Sequence, residues 1–539
     1  MKYKTPRFLS SVFCLLSSVF CFSQSNQNIP LYREKNLLYE KPLNSKECTV
    51  HTSIKPFNNT KELEAISDSI KQSMERKGDK LPSTVSSEGK KFRNIISATG
   101  IFSAEFGYEQ ATAFPSKYLL EGGLSLEGRI KDKLSFNTTF LAGNSTFPSY
   151  TDAFISNTNV VPGLGIAYPY RVRRKSTNLG YIGYNYQYYS CYLSYSPNKT
   201  FNFQIGKDKH FLGDGYRSLF LSDVSNSYPF LKISTTIWKI KYVCLYTSMK
   251  DVTNPSGFKK DFLNKYGTFH YLSWNATKRI NVALFESIIW QGTDSNRVRN
   301  YDVNYLNPII FYRPVEYSLG SSDNAFLGFA FKIKIGKRQR QQIYGQIILD
   351  EFLLSEIKAM NGWWANKQGF QLGFKYFDLF TLKNLSFQTE GNAVRPYTYA
   401  HGSVQQNYAN YNQPLAHPLG ANFAESVSLL NYRYKKFAIE AKALYAIYGK
   451  DSAGINYGGN IFESYTTHPQ NYGNEFFQGL KTNLLYTQLK LSYYLIPSAD
   501  LMAEAGVAVR QEKNSASSLS SNFVFIGIKT GIMNRYYDF

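Results

Sequence analysis

The chain has 539 residues, a negative mean hydropathy of -0.34 and 16% aromatic residues, among them 43 Tyr and 40 Phe. A membrane helix needs about 20 consecutive apolar residues, and the sequence beyond residue 23 contains no such stretch, which excludes a bundle of membrane helices. The formal net charge of +22 favours anionic partners.

The first 23 residues have the pattern of a secretory signal peptide. Lys2, Lys4 and Arg7 form a basic start, an apolar stretch follows over residues 8–22, and Ser23 is a small residue before the expected cleavage. An exported protein rarely meets nucleic acid. We therefore expect the basic charge to face surface polysaccharide, lipopolysaccharide and the outer membrane.

Residues 24–91 are polar and poor in glycine, unlike the rest of the chain. Within them, Ile66, Ile70 and Met74 recur every four residues, which places them on one face of a helix predicted from Thr60 to Arg76. We predict a periplasmic N-terminal extension that packs on or into the lower mouth of the following domain. The alternative is partial disorder.

From residue 92 to 539 the sequence alternates with period two. Between Leu120 and Ile130, for example, apolar or small residues take the even positions and polar residues take most of the odd ones. Such alternation is typical of strands with one face towards lipid and one towards a polar interior. Short turns and long loops alternate between the strands. The pattern predicts an all-β fold, a transmembrane antiparallel β-barrel of about 18 strands in the bacterial outer membrane; the alternative is a soluble β-sandwich or propeller.

The C-terminus strengthens the barrel prediction. The chain closes with Arg535-Tyr536-Tyr537-Asp538-Phe539, and an aromatic C-terminal residue is typical of outer-membrane barrels. We expect Phe539 to end the last barrel strand.

The long loops contain dense clusters of aromatic and polar residues. Carbohydrate sites combine aromatic faces, which cover the C–H surfaces of sugars, with side chains that bond hydroxyl groups. The predicted ligand-binding residues are Arg313, Glu316, Asp350, Glu351, Trp363, Trp364, Arg395, Tyr397, Tyr399, His401, Tyr411 and His417.

Two alternatives remain open for parts of this set. Arg313, Glu316 and Arg395 could instead belong to a network of Arg–Glu pairs that holds loops inside the barrel. Trp363 and Trp364 could instead belong to an aromatic girdle at the membrane interface.

Two of these loop stretches, residues 206–223 and 395–423, resemble the Wzi-type capsule-assembly outer-membrane proteins. Within that family the sequence is most similar to the Bacteroidetes branch that includes the gliding-motility protein RemB, and the resemblance extends from about Phe92 to the C-terminus. It implies an 18-stranded barrel with a periplasmic helical element that binds surface polysaccharide on its outer side.

Catalytic and metal-binding patterns are missing from the sequence. Neither G-x-S-x-G nor H-E-x-x-H occurs. Asp350 and Glu351 are adjacent, so on a strand they would point to opposite faces and could not form a glycosidase pair. The six histidines are scattered along the chain. We therefore predict a protein that is not an enzyme and needs no cofactor or metal.

The predicted function is a non-enzymatic barrel that binds surface polysaccharide and assists capsule or exopolysaccharide assembly and attachment. One alternative is an accessory of gliding motility or adhesion that acts through protein partners. The other is a porin-like uptake channel, since a barrel of about 18 strands is wide enough for one unless its lumen is filled.

Overall fold

The structure, a computed structural model, describes residues 28–57, 61–75, 94–110, 112–130, 133–173, 180–252, 262–294, 297–309, 323–336 and 338–539. The predicted signal peptide and the predicted ligand-binding residues Arg313 and Glu316 lie outside the described residues.

Eighteen antiparallel strands form a closed barrel, in which each strand pairs with its neighbours in the chain and the first pairs with the last. This confirms the predicted all-β class and the strand number. The barrel strands are β1 Asn94–Gln110, β2 Ser116–Ile130, β3 Leu134–Thr146, β4 Gly180–Tyr195, β5 Phe201–Asp208, β6 Tyr228–Ile237, β7 Ile240–Asp251, β8 Leu263–Trp274, β9 Ile280–Gln291, β10 Asn324–Ile335, β11 Gln341–Leu349, β12 Gln368–Phe377, β13 Leu385–Val394, β14 Phe423–Tyr434, β15 Phe437–Lys450, β16 Leu480–Ile496, β17 Leu501–Lys513 and β18 Ser518–Thr530.

Four short strand pairings lie outside this cycle. Tyr168–Arg173 pairs with the upper part of β4, and Ile54–Lys55 pairs with Phe211–Leu212. The other two are hairpins within loops, formed by Thr293–Asp294 with Arg297–Val298 and by Ala409–Asn410 with Gln413–Pro414.

The described residues contain four α-helices: α1 Arg33–Leu43, α2 Lys61–Glu75, α3 Ser149–Thr158 and α4 Leu354–Ala359. None of the helices in the described part of the chain is long and apolar enough to cross a membrane. The α2 helix lies where the four-residue spacing predicted it. The α1 helix was not predicted, although its buried residues Asn36, Tyr39 and Leu43 have helical spacing.

The outer surface of the barrel is apolar and the inner surface is polar. In β2, Leu120, Leu124 and Leu126 face outward and are exposed, whereas Glu121 faces the lumen and is buried. An outward apolar band around a closed antiparallel barrel is what a membrane-spanning barrel presents to lipid. The chain is therefore a bacterial outer-membrane protein, with its short turns towards the periplasm and its long loops outside.

The C-terminal tail, residues 531–539, leaves the sheet and enters the lumen. The last strand ends at Thr530, and the Phe539 ring lies 4.8 Å from that of Phe154 in α3. The prediction that Phe539 ends the last barrel strand is therefore wrong. The physical reason lies in the charges of the tail, because Arg535 and Asp538 find partners inside the barrel.

Candidate functional site: a filled lumen and an extracellular loop cap

The loop between β5 and β6 folds into the lumen. We call residues 209–227 the lumen loop; all of them except Gly215 are buried. Leu219, Phe220 and Leu221 are completely buried in an apolar cluster inside the barrel. The Phe220 ring stacks on that of Phe285 in β9, with 4.6 Å between the centroids. An apolar core at this position replaces the water that would fill an open pore.

Arg217 of the lumen loop lies at the centre of a charged network. Its guanidinium is 3.1 Å from Glu425 in β14 and 3.1 Å from Asp538 in the C-terminal tail. Asp538 also accepts from Lys442 of β15 at 3.0 Å. The backbone N–H of Arg217 donates to Glu390 of β13 at 2.8 Å. These bonds fix the lumen loop to one side of the barrel wall.

The N-terminal segment, residues 28–57, closes the periplasmic mouth. Lysines of α1 pair with aspartates in two separate periplasmic turns: Lys35 with Asp500 at 2.8 Å and Lys41 with Asp378 at 2.6 Å. The segment then enters the lumen, where Ile54–Lys55 pairs with the lumen loop. It therefore lies across the mouth.

The C-terminal tail fills the space between the N-terminal segment and the extracellular helix α3. Its Asn534 accepts from the backbone N–H of Arg33 at 2.7 Å. Further along, Arg535 pairs with Glu121 of β2 at 2.6 Å. The Tyr536 hydroxyl donates to Asp223 of the lumen loop at 2.9 Å. The tail therefore contacts both the N-terminal segment and the lumen loop.

A cavity of about 170 Å³ remains between the tail and the wall formed by β1, β2 and β15–β18. Charged residues of both signs line it: Glu105, Lys117, Glu121, Glu440, Lys442, Lys490, Glu504, Lys529 and Arg535. The cavity is large enough to hold several water molecules.

Three extracellular loops join into one structure, which we call the loop cap: residues 350–367, 395–422 and 451–479. The first and third are held together by backbone hydrogen bonds, such as the 2.9 Å bond from the N–H of Trp364 to the carbonyl of Asn471. Arg395 joins all three. It donates to the carbonyl of Asn366 at 2.8 Å and to that of Asn474 at 3.2 Å.

An aromatic cluster lies where the first and third loops meet. The Trp364 ring stacks on His468 at 4.3 Å and packs against Tyr465 at 5.0 Å. Trp363 is 6.3 Å from Trp364 and, like it, is half-buried. Both tryptophans lie in a loop, and Trp364 packs on the third loop of the cap, so neither lies on the outer face of a barrel strand.

The predicted polar ligands Asp350, Glu351 and Arg395 are engaged in contacts within the cap. Lys367 lies 3.2 Å from Asp350 and 3.5 Å from Glu351. Burial raises the pKa of the Asp350 carboxyl, and the Lys367 ammonium opposes that rise. Burial lowers the pKa of the Arg395 guanidinium. Its hydrogen bonds within the described residues go to carbonyls, so the Arg–Glu pairing considered for Arg395 does not occur there.

Four other predicted ligands are buried, namely Tyr397, Tyr399, His401 and His417. The Tyr399 hydroxyl donates to the carbonyl of Leu219 in the lumen loop at 2.8 Å, and His417 is 2.9 Å from Glu425. Tyr399 therefore holds the cap onto the lumen loop, whereas the Tyr397 hydroxyl donates to the carbonyl of Asn456 within the cap at 3.1 Å. All four side chains are buried in this conformation. Tyr411 is half-buried, with its ring edge-on to that of Phe262 at 6.4 Å.

No group of three or more His, Cys, Asp or Glu in the described residues could hold a metal ion. Cys48, Cys191 and Cys244 are free thiols. Among the described residues, the lumen and the loop cap therefore offer charge pairing and aromatic contact.

The charged network around Arg217 was not predicted as a site. The stretch 206–223 was singled out by its density of Gly, Asp, Arg and aromatic residues, but its partners lie up to 322 residues away in sequence. The residues missed were Arg217, Glu390, Glu425, Lys442 and Asp538. A usable signal was present in the tail, where Arg535 and Asp538 break the apolar alternation expected of a final strand.

No protein-family model and no curated protein matches the chain. Among solved structures the chain is similar to Pseudomonas aeruginosa OprD, with 10% identity, a TM-score of 0.41 and coverage of 80% of this chain and 94% of that one. It is similar to Acinetobacter baumannii OccAB2 with 10% identity, a TM-score of 0.40 and coverage of 80% and 97%. It is similar to Pseudomonas aeruginosa OccK3 with 9% identity, a TM-score of 0.43 and coverage of 80% of this chain and 94% of that one. Similarity at this level concerns the barrel fold and carries no conclusion about function.

Proposed function

We propose that this protein is a non-enzymatic outer-membrane barrel with a closed lumen, which binds surface polysaccharide through its loop cap. It would thereby assist the attachment of capsule or exopolysaccharide to the cell. The observation that carries the proposal is the filled lumen. A barrel whose interior holds an apolar core and paired charges is built to present its loops, rather than to pass solutes.

The aromatic cluster of the cap supports carbohydrate as the ligand. Half-buried tryptophan rings that are fixed by other aromatic rings can cover the C–H face of a sugar at small entropic cost. Glu351 is about a third exposed next to Lys367, so it is available to bond a hydroxyl. Among the described residues, the Trp364 ring packs against Tyr397, Tyr465 and His468, whereas the Trp363 ring packs against Trp364. We therefore assign ligand stacking to Trp363 and support of its position to Trp364.

The experiment is a binding titration of the purified barrel with polysaccharide from the cell that produces it. Trp363→Ala should weaken binding about tenfold, which corresponds to about 1.4 kcal/mol, and should leave barrel stability unchanged. Trp238→Ala is the matched control, because Trp238 is 75% exposed in a periplasmic turn at the opposite end. Equal binding by the wild type, Trp363→Ala and Trp238→Ala would contradict the proposal.

A porin-like uptake channel is the second candidate, favoured by the charged cavity beside the C-terminal tail. In the conformation described here this cavity has a volume of about 170 Å³ and the C-terminal tail forms one of its walls. A channel function therefore requires one of the lumenal segments to move.

A further inference from the structure

The loop cap is acidic, although the chain as a whole is strongly basic. Six carboxylates and three cations belong to it: Asp350, Glu351, Glu356, Asp451, Glu463 and Glu475, and Lys358, Lys367 and Arg395. The structure describes every residue of the cap. With neutral histidines its net formal charge is −3, against +22 for the chain. The excess of basic charge is therefore carried by other parts of the chain.

Two of the three cations of the cap are engaged within it. The Lys367 side chain is completely buried between Asp350 and Glu351. Arg395 is half-buried and donates to two backbone carbonyls. Lys358 in α4 is the only exposed cation of these fully described loops. A ligand therefore meets little positive charge on this surface.

The carboxylates of the cap lie closer to solvent. Glu463 and Glu475 are exposed, and Glu356 is half-buried. Glu351 is about a third exposed. The charge that the cap presents to a ligand is therefore mainly negative.

Two of these carboxylates, both in the first loop, lie beside the aromatic cluster. Glu356 accepts from the side-chain amide of Asn361 at 2.6 Å, and the oxygen of that amide accepts from the backbone N–H of Trp363 at 3.2 Å. Burial raises the pKa of the Tyr465 hydroxyl to about 12, and the neighbouring charge of Glu351 contributes to the rise. Glu351 therefore lies beside one ring of the cluster and Glu356 beside another.

A third carboxylate comes from the third loop. Glu475 follows Asn474, whose backbone N–H donates to the carbonyl of Gly362 at 2.8 Å. Gly362 directly precedes Trp363 in the sequence. A sugar ring stacked on Trp363 would therefore lie near carboxylates from two loops of the cap.

We propose that the polysaccharide bound by the loop cap contains no acidic sugars, and that it is neutral or carries free amino groups. The inference rests on the proposed function, because it concerns the ligand of the same aromatic cluster. Carboxylates at the surface repel the carboxylates of uronic acids and attract the ammonium groups of amino sugars. Two unit charges about 7 Å apart in water change affinity about threefold. Glu356 and Glu475 together should therefore discriminate about tenfold against an acidic sugar.

The test uses surface polysaccharide of the producing cell, separated by anion exchange into an acidic and a non-acidic fraction. The purified full-length barrel is titrated with each fraction at pH 8, where exposed histidines are neutral. The non-acidic fraction should bind about tenfold more tightly than the acidic one. The double variant Glu356→Gln with Glu475→Gln should raise the affinity for the acidic fraction about tenfold.

Glu47→Gln is the matched control. It makes the same change of charge at the periplasmic end, where Glu47 is mostly exposed, and should leave both affinities unchanged. If the double variant does not assemble, Glu475→Gln alone replaces it, because this side chain is exposed, and an increase of about threefold is then expected.

The inference and the proposed function can fail separately. Equal or tighter binding of the acidic fraction would overturn the inference and leave polysaccharide binding standing. An assembled carboxylate variant with the wild-type affinity for the acidic fraction would overturn it as well. Binding of neither fraction would remove the proposed function, and the inference with it.

Discussion

Arg217 and Asp538 lie 3.1 Å apart in the centre of the barrel, although 321 residues separate them in sequence. Both side chains are almost completely buried. The pair joins the lumen loop to the C-terminal tail, and through Glu425 it joins both to the barrel wall. The closed lumen therefore depends on contacts between distant parts of the chain.

Arg217→Ala should lower the free energy of unfolding by about 3–5 kcal/mol, because it removes the buried cation that Glu425 and Asp538 share and leaves Asp538 with Lys442 and Glu425 with His417. Urea unfolding of the barrel in detergent would measure this loss. Lys278→Ala is the control. Its ion pair with Glu47 joins the N-terminal segment to a periplasmic turn and is mostly exposed, so its loss should cost about 0–1 kcal/mol. Equal costs for the two variants would show that the central network does not stabilise the fold.

Arg395→Ala should loosen the loop cap by about 1–3 kcal/mol, the range for buried carbonyls that lose a donor. Arg395 joins the carbonyls of Asn366 and Asn474, so proteolytic cleavage in residues 350–367 and 451–479 should become faster. Arg395→Lys can restore one of the two bonds and should give an intermediate rate. Cleavage at the wild-type rate in Arg395→Ala would refute this role.

The loop cap should also lose stability in acid. Burial lowers the pKa values of His401 and His417, so as pH falls below about 6.5 the opened loop takes up protons before the folded loop does. This contribution to stability is fully present above that pH and is lost below it. Asp350 acts in the opposite direction, since its raised pKa lets the folded form take up a proton first.

Substitution of His401 separates the acid effect of the histidines from that of Asp350. Loop proteolysis should be faster at pH 5 than at pH 7.5 in the wild type, and the difference should shrink in His401→Gln. If His401→Gln keeps the full pH dependence, this histidine is not its source.

Removal of residues 24–91 should leave the lumen closed, although the sequence pointed to this extension as the segment at the mouth. The lumen loop and the C-terminal tail keep their mutual ion pair without it. The apolar cluster around Phe220 loses Ile54 and keeps its members from the barrel, the lumen loop and the cap. Bilayer recordings on the shortened, assembled barrel should therefore show no steady current. A stable pore in this variant would mean that the N-terminal segment is the main plug.

The barrel itself could be predicted from the sequence, because alternation within a strand is a local pattern. Leu120 and Glu121 show which face of β2 each residue takes without any knowledge of their neighbours in space. The position of the C-terminal tail could not be predicted in this way. Its aromatic residues look like those of a final strand, and the partners that draw Arg535 and Asp538 inward lie in β2, β15 and the lumen loop.

The dependence on contacts between distant parts of the chain also explains why the predicted ligand-binding residues differ in their exposure. Trp363 and Tyr399 belong to equally aromatic loops, yet Trp363 is half-buried at the rim and Tyr399 is bonded to the lumen loop. The density of aromatic residues indicates a structured loop. It does not indicate which rings face solvent, because that depends on how the three loops of the cap pack together.

The most direct test of the account is the conductance of the intact protein in a planar bilayer. The filled lumen predicts that reconstituted full-length barrels, shown to be inserted by protease protection, carry no steady current beyond rare and brief openings. A large and stable pore in the full-length protein would contradict the closed lumen and would make the uptake channel the better explanation of this barrel.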